Sequence, residues 1–155
     1  MRVAWKIGFL AVLMTSAATH AGGGKNLRPH AALSYVVSDG GIAKPLAGLT
    51  GDAERGRAIV LDRAVGNCLI CHQVPIPSER FQGELGPDLA GVGSRLTEAR
   101  IRMTLVDQSR LNPDTLMPPY HRTSDLKNVA EAYKGRPVLS AQQIEDVVAW
   151  LVSLK

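Results

Sequence analysis

Cysteine is scarce in this chain, with two residues, Cys68 and Cys71, among 155. A structural zinc site takes about four Cys or His ligands. These two cysteines and the adjoining histidine are too few for such a site. Because both cysteines lie in one short motif, no thiol remains for catalysis elsewhere or for a second disulfide.

The chain also has few large aromatic side chains and only a small excess of positive charge. Outside residues 1–21 the aromatic residues are Tyr35, Phe81, Tyr120, Tyr133 and Trp150. A core with so few large side chains would be helped by a bulky apolar cofactor. The net charge of +4 falls to +2 without residues 1–21, and the remaining basic residues are scattered, so a nucleic-acid partner is not indicated.

The N-terminal apolar run, residues 7–14, is too short for a membrane helix of about 20 residues. It follows the basic residues Arg2 and Lys6 and precedes a small, polar segment that ends at Ala21. Together these are the three parts of a secretory signal. We therefore expect export, cleavage near Ala21, and a mature protein without a membrane span.

The central motif is Cys68-Leu69-Ile70-Cys71-His72, which reads C-x-x-C-H. This is the attachment signature of a c-type haem. Two thiols three positions apart reach the two vinyl groups of one porphyrin edge and form thioethers. The next residue, His72, then places its imidazole under the ring to ligate the iron. The motif predicts one covalently bound haem c.

Two other interpretations of the cysteine pair remain open at this point. An exported protein would oxidise two close thiols, so a simple structural disulfide is the stronger of them. A thioredoxin-type dithiol needs C-x-x-C beside a βαβ pattern, and no strand pattern is evident nearby. A protein of that kind, active in thiol–disulfide exchange, would be colourless and would carry titratable thiols.

The second axial position of a haem iron takes a His, a Met or no protein ligand. The candidates in the mature chain are Met103, Met117, His30 and His121. We favour Met117, with His121 as the alternative. Met117 lies in a loop far along the chain, and the two prolines after it stiffen the backbone. Ligation by His and Met raises the reduction potential and closes the iron to small substrates, which indicates electron transfer.

Capping residues predict three helices, over residues 53–65, 98–107 and 141–154. Asp52 and Thr97 are good N-caps for the first two. Ser140 and Gln143 form a capping box at the third.

Apolar spacing indicates which helix faces are buried. Ile101 and Leu105 form the buried stripe of the second helix, and we expect Met103 to point away from it. In the last helix the apolar face comprises Ile144, Val147, Val148, Leu151 and Leu154.

The expected fold is therefore all-α, with three to five helices around one haem. Long loops are predicted over residues 73–95 and 122–137, the second with a short helix near Leu126 to Tyr133. Residues 22–50 contain turn signals and no long periodic segment, so we expect an extended N-terminal arm. Residues 51–155 then form a single monohaem domain.

The order of these features over residues 52–154 resembles the class I cytochrome c pattern. Its elements are a glycine-bearing first helix, C-x-x-C-H, Gly86-Pro87-Asp88-Leu89, Met117-Pro118 and a last helix with Trp150. The resemblance implies the class I cytochrome c fold. It also implies that Gly56 permits a close crossing of the first and last helices, and that the Pro87 carbonyl accepts the Nδ1–H of His72.

Longer stretches resemble the SoxX family, the monohaem subunits of the SoxAX complex of sulfur-oxidising bacteria. They are residues 66–72, 81–89, 106–113 and 117–120. The resemblance implies a periplasmic heterodimer with a haem-bearing SoxA-type subunit. In that family the partner conjugates thiosulfate to a cysteine of the SoxYZ carrier protein.

In such a complex this chain would be the non-catalytic subunit, which accepts the released electrons and passes them to a downstream c-type cytochrome. The absence of a third cysteine agrees with this accessory role. The alternative function is a free, soluble c-type electron carrier in another respiratory chain.

Overall fold

The computed structural model describes residues 35–155, and the regular structure in this part of the chain is helical. The helices are α1 (Ala53–Leu61), α2 (Val92–Arg95), α3 (Glu98–Asp107) and α4 (Ala141–Ser153). Short 3₁₀ turns occur at Leu46–Gly48, Cys68–Ile70, Gln108–Arg110 and Glu131–Tyr133. The prediction of an all-α fold is confirmed.

The signal predicted over residues 1–21, and the arm before Tyr35, lie outside the described residues. Within residues 35–155 no helix combines the length and the hydropathy needed to cross a membrane.

The three helix starts expected from the sequence are present. Asp52 and Thr97 each accept a hydrogen bond from the backbone N–H three residues later. Ser140 and Gln143 form the complete capping box at the start of α4. Each cap satisfies N–H groups that the first helical turn leaves without a partner.

The end of α1 was predicted at residue 65 but lies four residues earlier, at Leu61. Asp62 leaves the helical conformation, and its carboxylate accepts the N–H groups of Ala64 and Val65. The Asp62 carbonyl also accepts the N–H of Gly66. A side chain that hydrogen-bonds its own backbone two residues on competes with the helix, which explains the early end.

Two further expectations are wrong. The segment 73–95 is not wholly a loop, since it contains α2, whose Val92 is buried.

Met103 does not point away from the buried face, because its side chain is fully enclosed in the core. α3 is covered by α4 and also by the N-terminal arm, through the bond from the Ile42 N–H to the Ala99 carbonyl. A helix covered on two sides has no single buried stripe.

The core of the fold is the crossing of α1 and α4. A methyl group built on Gly56 would lie 1.9 Å from the carbonyl oxygen of Asp146, so only glycine fits there. The Asp146 carboxylate accepts the backbone N–H of Asp52 at 2.9 Å and the Arg55 guanidinium at 2.8 and 2.9 Å. One residue of α4 thus contacts both the cap and the first turn of α1.

The pKa of Asp146 is lowered in the folded protein. Burial alone would raise it, but hydrogen bonds from Arg55, the Asp52 backbone and Gln142 outweigh burial. A lowered carboxyl pKa contributes stability above the ordinary Asp pKa, and that contribution is lost as the pH falls through the lowered value.

The arm is attached to the helices by a buried ion pair. Arg102 of α3 and Glu145 of α4, with side chains 1% and 3% exposed, are joined at 2.9 Å. Arg102 also donates to the carbonyl of Ile42 at 2.8 Å, and Glu145 accepts the N–H of Leu46 at 2.8 Å. The apolar side chains of Ile42 and Leu46 are buried in the same core cluster.

We expect Gly56→Ala to lower the free energy of unfolding by about 1–3 kcal/mol, because the added methyl forces α1 away from α4. Arg57→Ala, at the exposed neighbouring position, should change stability by no more than about 0.5 kcal/mol. Chemical denaturation of both proteins measures the difference. Equal stabilities would contradict the close crossing.

Removing one partner of the buried ion pair should lower the free energy of unfolding more than removing both partners. Arg102→Met leaves the Glu145 carboxylate buried without its cation, which costs about 3–5 kcal/mol. The double variant Arg102→Met/Glu145→Leu should recover part of that loss. If thermal unfolding shows the double variant no more stable than the single one, the pair is not the reason for the loss.

Candidate functional site

The C-x-x-C-H motif folds as one tight turn. The N–H groups of Cys71 and His72 both donate to the carbonyl of Cys68, at 3.1 and 2.9 Å. Asn67, just before the turn, adopts a left-handed conformation with φ of 55°. Cys68 is buried, Cys71 is half-buried, and the two thiols are not joined by a disulfide.

The His72 ring is oriented by the loop that follows the motif. Its Nδ1 lies 2.7 Å from the carbonyl oxygen of Pro87. A carbonyl only accepts hydrogen bonds, so Nδ1 carries the proton and Nε2 of the neutral ring keeps its lone pair. Metal-ligating histidines are oriented in this way. The contact is the one that the sequence resemblance implies for these two residues.

Two glycines allow the same loop to lie against the motif. A methyl on Gly86 would lie 2.4 Å from Cε1 of the His72 ring, and one on Gly83 would lie 1.9 Å from the carbonyl oxygen of Ile70. The N–H of Gly83 donates to Leu69, and the N–H of Gly86 donates to Cys71. The role of Gly83 was not predicted, because its contact with the motif is tertiary and no local pattern indicates it.

The two methionines considered as iron ligands lie in different surroundings. Met103 is fully enclosed by the core. Met117 is half-buried and packs against the edge of the core. Its N–H donates to the hydroxyl of Thr115, whose own N–H donates to the carbonyl of Asn112. Of the two thioethers, only that of Met117 lies in a loop and is partly accessible.

The segment after Met117 is anchored to the motif by Tyr120. The Tyr120 backbone bonds to Leu105 on one side and to Leu139 on the other. Its hydroxyl donates to the carbonyl of Gly66 at 2.9 Å. Gly66 lies two residues before Cys68, so the structure connects the Met117 loop with the turn that carries both cysteines. No sequence pattern indicates this hydroxyl contact.

The alternative ligand His121 has one ring nitrogen engaged with the protein. Its Nδ1 lies 2.8 Å from the carbonyl oxygen of Leu139. His30, the other histidine considered, lies outside the described residues.

Burial raises the pKa of the Cys68 thiol to about 11. Thiols that take part in disulfide exchange have lowered pKa values, because the thiolate is the nucleophile. The pKa of the Cys68 thiol is raised instead, and the residue is only 9% exposed. The site therefore does not favour thiol–disulfide exchange.

The residues present fit a covalently attached haem. Two unbridged thiols lie one turn apart. The adjoining histidine has its Nδ1 engaged by Pro87, which leaves Nε2 for a metal. A half-buried methionine lies in a separate loop. The ligand roles of His72 and Met117, the attachment at Cys68 and Cys71, and the orienting role of Pro87 stay predictions.

Comparisons with known proteins add independent findings. The family model for Cytochrome c matches residues 53–155. A chain in a structure described as the crystal structure of SoxXA from P. pantotrophus is 36% identical, with a TM-score of 0.72. That match covers 78% of this chain and 94% of the other. None of the curated proteins compared with this chain matches it.

We expect Met117→Leu to abolish the methionine–iron charge-transfer band in the far red of the oxidised protein, because leucine has no thioether sulfur. Met103→Leu makes the same chemical change in the core and should retain the band. Absorption spectra of the two purified variants decide the ligand. Loss of the band in Met103→Leu, with Met117→Leu unaffected, would refute the assignment.

Proposed function

Because the chain belongs to the cytochrome c family, and within it to the SoxX branch, we propose that it is the electron-transfer subunit of a periplasmic, thiosulfate-oxidising cytochrome complex. The observation that carries this proposal is the similarity to the SoxXA chain, which extends over 94% of that chain. The chain carries one covalently bound haem c. That haem supplies an iron which takes up and releases one electron at a time.

The chain's own residues hold and tune this cofactor. Cys68 and Cys71 would bond to it through sulfur, and His72 and Met117 would ligate its iron. The Pro87 carbonyl, 2.7 Å from Nδ1 of His72, fixes the ring and increases its basicity. With two protein ligands the iron would have no position open for a substrate, and its chemistry would be electron transfer.

The electrons come from chemistry on a SoxA-type partner. Joining a carrier cysteine thiolate of SoxYZ to thiosulfate forms one sulfur–sulfur bond and releases two electrons. This chain accepts them one after the other and passes each to a downstream c-type cytochrome. Export by the signal in residues 1–21 would place the subunit in the periplasm with its partner.

Exposed apolar side chains beside the motif support a subunit that docks on another protein. Ile70, Phe81 and Leu85 are 58%, 89% and 67% exposed. They lie on two segments that hydrogen-bond to each other, through Gly83 to Leu69 and Gly86 to Cys71. Apolar side chains gathered on a surface are typical of protein–protein contacts.

The backbone of Phe81 strengthens this interpretation. Its φ of 61° lies in the left-handed region, where a bulky aromatic residue is a genuine outlier. Such strain is found where a functional site requires a particular side chain. The strained, exposed Phe81 therefore supports a role of this surface in contact with another protein.

We expect the tagged chain, purified from cells grown on thiosulfate, to bring down a haem-bearing partner. Phe81→Asn should reduce this recovery several-fold without lowering the thermal stability, since asparagine tolerates the left-handed conformation. Tyr133→Asn, at another partly exposed aromatic residue, is the matched control and should leave recovery unchanged.

The chain emerging alone from these cells would count against the complex and favour the free carrier. Equal recovery by Phe81→Asn and Tyr133→Asn would leave the complex in place and exclude the apolar surface as its docking site.

A further inference from the structure

Tyr120 is buried and forms hydrogen bonds with three residues that are distant in the sequence. Its N–H donates to the Leu105 carbonyl at 3.1 Å, and its carbonyl accepts the Leu139 N–H at 2.9 Å. Its hydroxyl donates to the Gly66 carbonyl at 2.9 Å. The first two bonds use the backbone, and only the third depends on the side chain.

Met117 is connected to Tyr120 by a short and stiff linker. The two residues between them, Pro118 and Pro119, have φ locked near −65° by their rings and have no N–H to donate elsewhere. Three residues of chain extend at most about 10 Å. The position of Tyr120 therefore limits where the Met117 thioether can lie.

The acceptor of the Tyr120 hydroxyl belongs to the haem-attachment turn. Gly66 is buried, and the thiol of Cys68 lies 3.5 Å from the same Gly66 carbonyl oxygen. A methyl on Gly66 would lie 2.3 Å from the carbonyl oxygen of Ile59 and 3.4 Å from Sγ of Cys68. This glycine is closely confined between α1 and the cysteine, so its carbonyl is a fixed anchor point.

We propose that Tyr120 is a positioning residue for the iron: its hydroxyl bond to Gly66 holds the Met117 loop at a set distance from the turn that carries Cys68 and His72. This inference rests on the proposed ligation by Met117. The two axial ligands come from segments that are far apart in sequence, and the Tyr120–Gly66 bond connects those segments directly.

The Tyr120 hydroxyl can be removed by substitution without changing the packing of the fold. Phenylalanine keeps the ring, its packing and both backbone bonds, and removes the hydroxyl with its bond to Gly66 and its side-chain interaction with Cys68. Both lost interactions are with the attachment turn and the residues just before it, so their loss loosens the Met117 loop relative to that turn. A tyrosine hydroxyl is protonated at neutral pH and can donate, and burial raises the pKa of Tyr120 further.

The test is displacement of Met117 by added imidazole in the oxidised holoprotein, followed by loss of the far-red band. We expect Tyr120→Phe to bind imidazole about tenfold more tightly than the unaltered protein, a change equivalent to ~1.4 kcal/mol. Its reduction potential should also fall, because methionine ligation raises the potential. Tyr133→Phe makes the same chemical change on the half-exposed Tyr133 and should alter neither quantity.

Unchanged imidazole affinity and potential in Tyr120→Phe would overturn the positioning role, even where the far-red band shows that Met117 binds the iron. If the unaltered protein lacks that band, Met117 ligation itself fails, and the inference with it. The two failures are therefore distinguishable.

Should Tyr120→Phe not fold, proton exchange in the unaltered, reduced protein serves instead. A hydroxyl that is buried and donates to Gly66 exchanges slowly with water and gives a resolved proton resonance. Rapid exchange would overturn the inference.

Discussion

The haem-attachment turn keeps its shape because other segments hydrogen-bond to its backbone. The carbonyls of Leu69 and Cys71 accept N–H groups from the loop at residues 83–86, and the carbonyl of Gly66 accepts the Tyr120 hydroxyl. A turn of three residues has few bonds of its own. These long-range bonds therefore decide where the two thiols and the histidine lie. Both proposed iron ligands depend on them: the loop that bonds to the turn also carries Pro87, which contacts His72, and the Tyr120 segment carries Met117.

The crossing of α1 and α4 provides the rigid frame for this turn. α1 precedes the attachment turn, with residues 62–67 between them, and it can approach α4 only because residue 56 is glycine. The buried pair of Arg102 and Glu145 joins α3 and α4 to the arm. A cofactor that changes charge with each electron benefits from surroundings that do not move, because each rearrangement would slow the transfer. Close packing and buried, fully paired charges supply such surroundings.

The sequence predicted those features that depend on local chemistry. The caps at Asp52, Thr97 and Ser140 are local hydrogen bonds, so residue type and spacing were sufficient to place the helix starts. The C-x-x-C-H motif predicted its cofactor because thioether chemistry requires that spacing. The resemblance to cytochromes c supplied the contact between His72 and Pro87, whose residues are separated by a loop that no periodicity describes.

Features that depend on tertiary packing were missed or wrong. Met103 is buried on a helix that both α4 and the arm contact, and helical periodicity contains no information about the arm. The Tyr120–Gly66 bond joins residues separated by 54 positions, and the Arg102–Glu145 pair joins residues separated by 43. Neither pair has a spacing that a local pattern could reveal.

The mass of the mature, purified chain tests the central claim most directly. Trypsin cuts after Arg63 and Arg80, so Cys68, Cys71 and His72 remain in one peptide, residues 64–80. We expect that peptide to carry the mass of one haem, with both cysteines modified. A peptide with free thiols, or with a disulfide and no added macrocycle, would contradict covalent attachment of a haem at this turn.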